Sequence, residues 1–123
     1  MMDVLVVDDD TKVREAHTKV LERAGFMVTA VDNGLAAFAA LQEERYKVIV
    51  CDIQMPYLEG KNFYQQLEEV LPTMASRVVF VTAWASEEST RQFLEQSGQP
   101  FLEKPADVNE LISLVRHIAD KPG

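Results

Sequence analysis

A chain of 123 residues that is 47% apolar and 26% charged reads as one globular domain spanning 1–123, with its core at about 3–119; it is too apolar for a disordered acidic tail. Lys and Arg number 12 and Asp and Glu 20, a formal net charge of −8. Such a surface repels phosphate backbones, so no direct nucleic-acid partner is expected. Cys51 is the only cysteine, the start lacks a basic and apolar leader, and no apolar run approaches the ~20 residues of a membrane span. A cytoplasmic protein without a membrane anchor is expected.

Short apolar runs alternate with helical periods. Val4–Val7 is the first strand candidate, followed at once by Asp8-Asp9-Asp10. Val13, His17, Val20, Leu21 and Ala24 share a helix face that Gly25 ends. A second strand is predicted at Met27–Val31. After Asn33-Gly34 comes a small-residue helix face of Ala36, Ala37, Ala40 and Leu41. The third strand, Val48–Cys51, ends in Asp52. A third helix carries Phe63, Leu67, Val70 and Leu71 and is expected to stop at Pro72. Val78–Val81 is the fourth strand, ended by Thr82. A fourth helix runs from near Ser86 to Gly98 with Phe93 and Leu94 inward. A weaker fifth strand, Pro100–Glu103, ends in Lys104-Pro105. The fifth helix presents Leu111, Leu114, Val115 and Ile118, with Asp107 as N-cap and Glu110 three residues on. The two ends of the chain, 1–2 and 121–123, read as frayed.

Strands that are apolar throughout suit a parallel sheet covered on both faces, and five β-α pairs imply right-handed crossovers. In such sheets ligands gather outside the carboxyl ends of the strands. Asp8, Asp9, Asp52, Thr82 and Lys104 all stand at those ends. Clustered carboxylates repel, and a hard cation such as Mg²⁺ relieves that repulsion. A cation on Asp9 and Asp52 would also offset charge on an incoming phosphoryl group. A carboxylate can itself be the nucleophile, giving an acyl phosphate. Lys104 and Thr82 could then meet phosphoryl oxygens. Asp10 is the better candidate for a plain helix cap. His17 reads as structural, and Cys51 as a small core residue. Met55-Pro56 and Gly60 read as loop geometry.

Together the segments Val-Leu-Val-Val-Asp-Asp-Asp (4–10), Val-Ile-Val-Cys-Asp-Ile-Gln-Met-Pro (48–56) with Gly60, Val-Val-Phe-Val-Thr-Ala (78–83) and Phe-Leu-Glu-Lys-Pro (101–105) resemble the receiver domain of two-component response regulators. The resemblance spans essentially the whole chain. It implies a flavodoxin-like (βα)5 sandwich of strand order 2-1-3-4-5, a fold for which a receiver is a standard example. It implies Asp52 as phosphoacceptor from a phosphohistidine of a sensor kinase or phosphotransfer protein. Asp8 and Asp9 would hold Mg²⁺ with Asp52, and the backbone carbonyl of Gln54 would complete the metal shell. Thr82 would be the switch hydroxyl, Lys104 the phosphoryl-binding lysine, and Phe101 the switch aromatic. The Lys104–Pro105 bond would be cis. The output would be an effector domain or protein, reached through the face of the fourth helix, fifth strand and fifth helix. A homodimer through that face stays open.

Four features depart from the common pattern: Ala106 stands where an aromatic is frequent, the segment Gly98-Gln99-Pro100-Phe101 is one residue shorter than the usual connection of fourth helix to fifth strand, Phe101 lacks a phenol hydroxyl, and Trp84 is large for its place. Trp84 and Phe101 are either core aromatics or, as the resemblance implies, part of a switching face. A Mg²⁺-dependent phosphohydrolase passing through an aspartyl phosphate would use the same carboxylate and lysine logic. Turnover separates the two, because a receiver labels itself once whereas a hydrolase cycles.

Overall fold

The computed structural model describes residues 2–53 and 60–122. Gln54 and Met55-Pro56 lie outside these residues. Five parallel strands, β1 (Val4–Val7), β2 (Val28–Val31), β3 (Val48–Asp52), β4 (Val78–Thr82) and β5 (Phe101–Glu103), form one sheet of order β2-β1-β3-β4-β5. Neighbours pair in parallel, with Val7 opposite Cys51, Asp52 opposite Val81 and Thr82 opposite Glu103. This is the flavodoxin-like order expected. The central strands β1, β3 and β4 are buried along their length, whereas the edge strands β2 and β5 are not. Continuous apolar runs therefore mark the middle of the sheet rather than all of it.

Helices α1 (Thr11–Arg23), α2 (Gly34–Glu43), α3 (Gly60–Val70), α4 (Pro72–Ala75), α5 (Glu88–Ser97) and α6 (Val108–Ala119) complete the described elements. One core joins α2, α3 and α5 to the sheet through Ala37, Phe63, Tyr64, Leu67 and Leu94. The other joins α1 and α6 through Leu21, Leu111, Val115 and Ile118. Each buried leucine, isoleucine, valine or phenylalanine of these cores contributes about 1.5–3 kcal/mol. The predicted caps form: Asp10 accepts from the Lys12 and Val13 N–H groups, and Asp107 from that of Glu110. Gly25 and Gly98 close α1 and α5 at φ 100° and 70°, where a side chain is strained.

Four details differ from the sequence reading. Pro72 does not simply end the third helix. With Leu71 as N-cap it starts α4, because proline's fixed φ suits a first turn. Gly60 opens α3 instead of belonging to a loop. Val70, counted on the apolar face of α3, is 66% exposed, while Tyr64 takes a core position. Its ring packs edge-on against Phe80 and Phe93, at 5.4 and 5.9 Å between centroids.

Of the end residues expected to fray, Met2, Lys121 and Pro122 are tied by hydrogen bonds, and residues 1 and 123 lie outside the described residues. The Met2 N–H donates to Arg45 O at 3.2 Å. The buried Arg77 guanidinium donates to Lys47 O, Ile118 O, Lys121 O and Pro122 O at 3.0, 3.2, 2.9 and 3.0 Å. Carbonyls at the end of a helix run short of donors; Arg77 adds one to Ile118 O in the last turn of α6 and holds the carbonyls of Lys121 and Pro122 just beyond it.

Candidate functional site

The sheet brings the polar strand-end residues to one edge. Asp8 follows β1, Asp52 closes β3, Thr82 closes β4, and Lys104 follows β5. Lys104 Nζ lies 2.9 Å from Asp8 Oδ2 and 3.3 Å from Asp52 Oδ2, so one ammonium bridges two buried carboxylates. Asp8 is fixed from two further sides. Its Oδ1 accepts from the Asp10 N–H at 2.9 Å, and its backbone O accepts from Arg14 Nη1 at 2.9 Å.

Asp9 is exposed, and a carboxylate oxygen of each of Asp8, Asp9 and Asp52 lies within 4.8 Å of the others. All three offer hard oxygen donors, two from inside the fold and one from the solvent side. That donor set fits a Mg²⁺ ion that keeps part of its water. Gln54 is outside the described residues. Thr82 is fully buried, its Oγ1 accepts from the Trp84 N–H at 3.0 Å, and its backbone O accepts from the Lys104 N–H at 2.9 Å. The Lys104–Pro105 peptide bond is cis.

The site's charges shape its titration. Burial alone would lower the Lys104 pKa. The hydrogen bond to Asp8 and the charges of Asp52 and Asp8 outweigh it, and the value is raised above 10.5. Lys104 is therefore cationic at neutral pH. Burial first, then the charges of Asp52 and Asp8, push the Cys51 thiol well above 9.0, which leaves it a packing residue rather than a nucleophile.

His17, read from sequence as structural, is buried close enough to feel both Asp8 and Lys104. Burial lowers its pKa below 6.5; Asp8 opposes this and Lys104 adds to it. The ring is thus held neutral. A folded pKa below the unfolded one gives stability that is present above pH 6.5 and lost as pH falls through the folded value. His17→Leu should flatten thermal stability between pH 6.5 and about pH 5, before most carboxylates titrate. Parallel melting curves for parent and variant would refute this. Arg14 and His17, three apart on α1, reach the site region together; helical spacing pairs them, but no local pattern shows that they face the sheet edge.

Trp84 and Phe101 are not core aromatics: they are 56% and 43% exposed. A hollow of about 610 Å³ lies at the opposite end of the sheet, among Leu41, Tyr46, Leu71, Met74 and Arg77, and no site residue lines it. The carboxylates sit at an open edge instead.

This fold is shared with known proteins. The model of the response regulator receiver domain matches residues 4–116. The chain belongs to that family. The receiver is 30% identical to the response regulator receiver protein CpdR of Brucella abortus, covering 92% of each chain. It is 34% identical to the response regulator Rre1 of Synechocystis over 95% of this chain, but spans only 51% of that longer protein. The solved receiver domain of the Francisella response regulator 1452 superposes with a TM-score of 0.83 at 30% identity, covering 97% of each chain. The receiver is thus a two-component signalling domain. Among the described residues no helix is long and apolar enough to cross a membrane.

Proposed function

We propose that the receiver is a cytoplasmic phosphoacceptor that takes a phosphoryl group from a phosphohistidine onto Asp52. The donor would be a sensor histidine kinase or a phosphotransfer protein. The observation that carries this reading is the Lys104 ammonium held between Asp8 and Asp52. An Asp52 oxygen attacks phosphorus, the N–P bond breaks, the histidine leaves and an acyl phosphate forms.

Asp8, Asp9 and Asp52, with the Gln54 carbonyl, would hold Mg²⁺; when bound, it offsets charge on the phosphoryl oxygens. Lys104 is already beside the acceptor and exchanges its Asp52 oxygen for a phosphoryl oxygen. Phosphorylation adds roughly −1.5 to −2 charge and three strong acceptors. Thr82 gives up the Trp84 N–H to meet one of them. The 82–84 loop then moves, Phe101 turns inward, and the face of α5, β5 and α6 changes its affinity for an effector domain or protein. On this reading the only chemistry the chain catalyses is its own phosphorylation and dephosphorylation.

Trp84 makes the test direct. Its fluorescence should respond to beryllofluoride or acetyl phosphate in the presence of Mg²⁺, and the Asp52→Ala variant should stay flat. A response of equal size in the variant would place the acceptor elsewhere. Multiple turnovers of a phosphomonoester would favour a hydrolase.

A further inference from the structure

The face of α5, β5 and α6 is acidic. On α5, Phe93 packs toward Tyr64 of α3 at 5.9 Å, which turns the other flank, with Arg91 and Glu95, toward β5; the N-cap residue Glu87, its carboxylate accepting from Ser89 Oγ at 2.6 Å, stands at the head of the helix. On α6, Arg116 lies 5.5 Å over the Phe26 ring beside the end of α1, which turns Glu110 to the β5 side. On β5, Phe101 pairs with Phe80 and Glu103 with Thr82, so both point to the α5 side of the sheet. Trp84 stands in the loop above. The face thus combines the exposed aromatic Phe101, with exposed Trp84 in the adjoining loop, and exposed carboxylates that include Glu87, Glu95, Glu103 and Glu110, with Arg91 as a cation among them.

From this surface we infer that the partner of the α5-β5-α6 face is a basic amphipathic helix and not a second copy of the chain. A two-fold pair would set the same patch against itself and bring carboxylates together. A partner strand has little to pair with, because β5 offers three residues between Pro100 and the Lys104–Pro105 bond. A helix laid across the face can cover Trp84 and Phe101 with its apolar stripe and meet the glutamates with Lys or Arg. The inference rests on the proposed switching only for its response to phosphorylation; the choice of partner chemistry rests on the surface itself.

A fluorescent amphipathic peptide of lysine and leucine, and its twin with glutamate for lysine, provide the probe. The lysine peptide should bind the receiver roughly ten-fold more tightly by anisotropy at low salt. The double variant Glu87→Lys, Glu103→Lys should invert that preference. Glu68→Lys, Glu69→Lys on α3 removes equal charge from another face and should leave it nearly unchanged. Sedimentation should show a monomer with and without beryllofluoride. Equal losses from both double variants, or a dimer dissolved by the Glu87 and Glu103 changes, would overturn the inference. If the preference stands but beryllofluoride leaves the peptide affinity unchanged, the surface assignment holds and the switching reading fails. If beryllofluoride shifts peptide affinity in the parent but not in Asp52→Ala, both stand.

Discussion

Replacing Lys104 with methionine should destabilise the metal-free receiver by about 3 kcal/mol at neutral pH. The methionine keeps most of the aliphatic stem, so the packing loss is small. What disappears is the ammonium 2.9 and 3.3 Å from two carboxylates that the fold keeps buried. Removing one partner of a buried ionic cluster leaves like charges facing each other without compensation. Because the Lys104 pKa is raised, the contribution is complete below pH 10.5 and is lost only as pH rises through the folded value. Urea unfolding measures the effect directly. Millimolar Mg²⁺ should recover part of the loss, since a ligand of the folded state alone stabilises it. A variant as stable as the parent without Mg²⁺ would mean that the ion pair is energetically idle.

Arg77→Leu should cost a similar amount, roughly 3–4 kcal/mol, for a different reason. No acid is involved. Four backbone oxygens, from Lys47, Ile118, Lys121 and Pro122, share this one guanidinium. Leucine would fill part of the space but donate nothing. Hydrogen exchange should then rise at the end of α6 and in β4 before it rises elsewhere. Lysine should rescue only in part, because an ammonium cannot reproduce the planar fork. Uniform protection after Arg77→Leu would show that water replaces the side chain at little cost.

These two residues mark what a sequence reveals and what it hides. Lys104, Asp8, Asp9, Asp52 and Thr82 were legible because each follows or closes a strand visible as an apolar run, and a parallel sheet gathers such ends at one edge. The central strands and the α1, α5 and α6 boundaries were legible from period and from Gly25, Gly98 and Asp107. Arg77 was not, because its partners lie 30 to 45 residues away along the chain. Locally it looks like any solvated cation before a strand. Val70 and Tyr64 traded places for a related reason: the period defines a helix face, but neighbouring elements decide how wide that face is. The edge strands escaped the rule of continuous burial because burial depends on rank within the sheet, which order along the chain does not state.

The hydrogen bond from Trp84 N–H to Thr82 Oγ1 has one further consequence. If Thr82 must release it to turn toward a phosphoryl oxygen, the bond is a bias on the resting equilibrium as well as a strut. A neutral hydrogen bond is worth about 1 kcal/mol net, equivalent to roughly a five-fold preference between two forms. The set point of the switch would then lie partly in one loop amide. Because that amide belongs to the fluorophore's own residue, the light emitted by Trp84 would then read out the bond that biases the resting form.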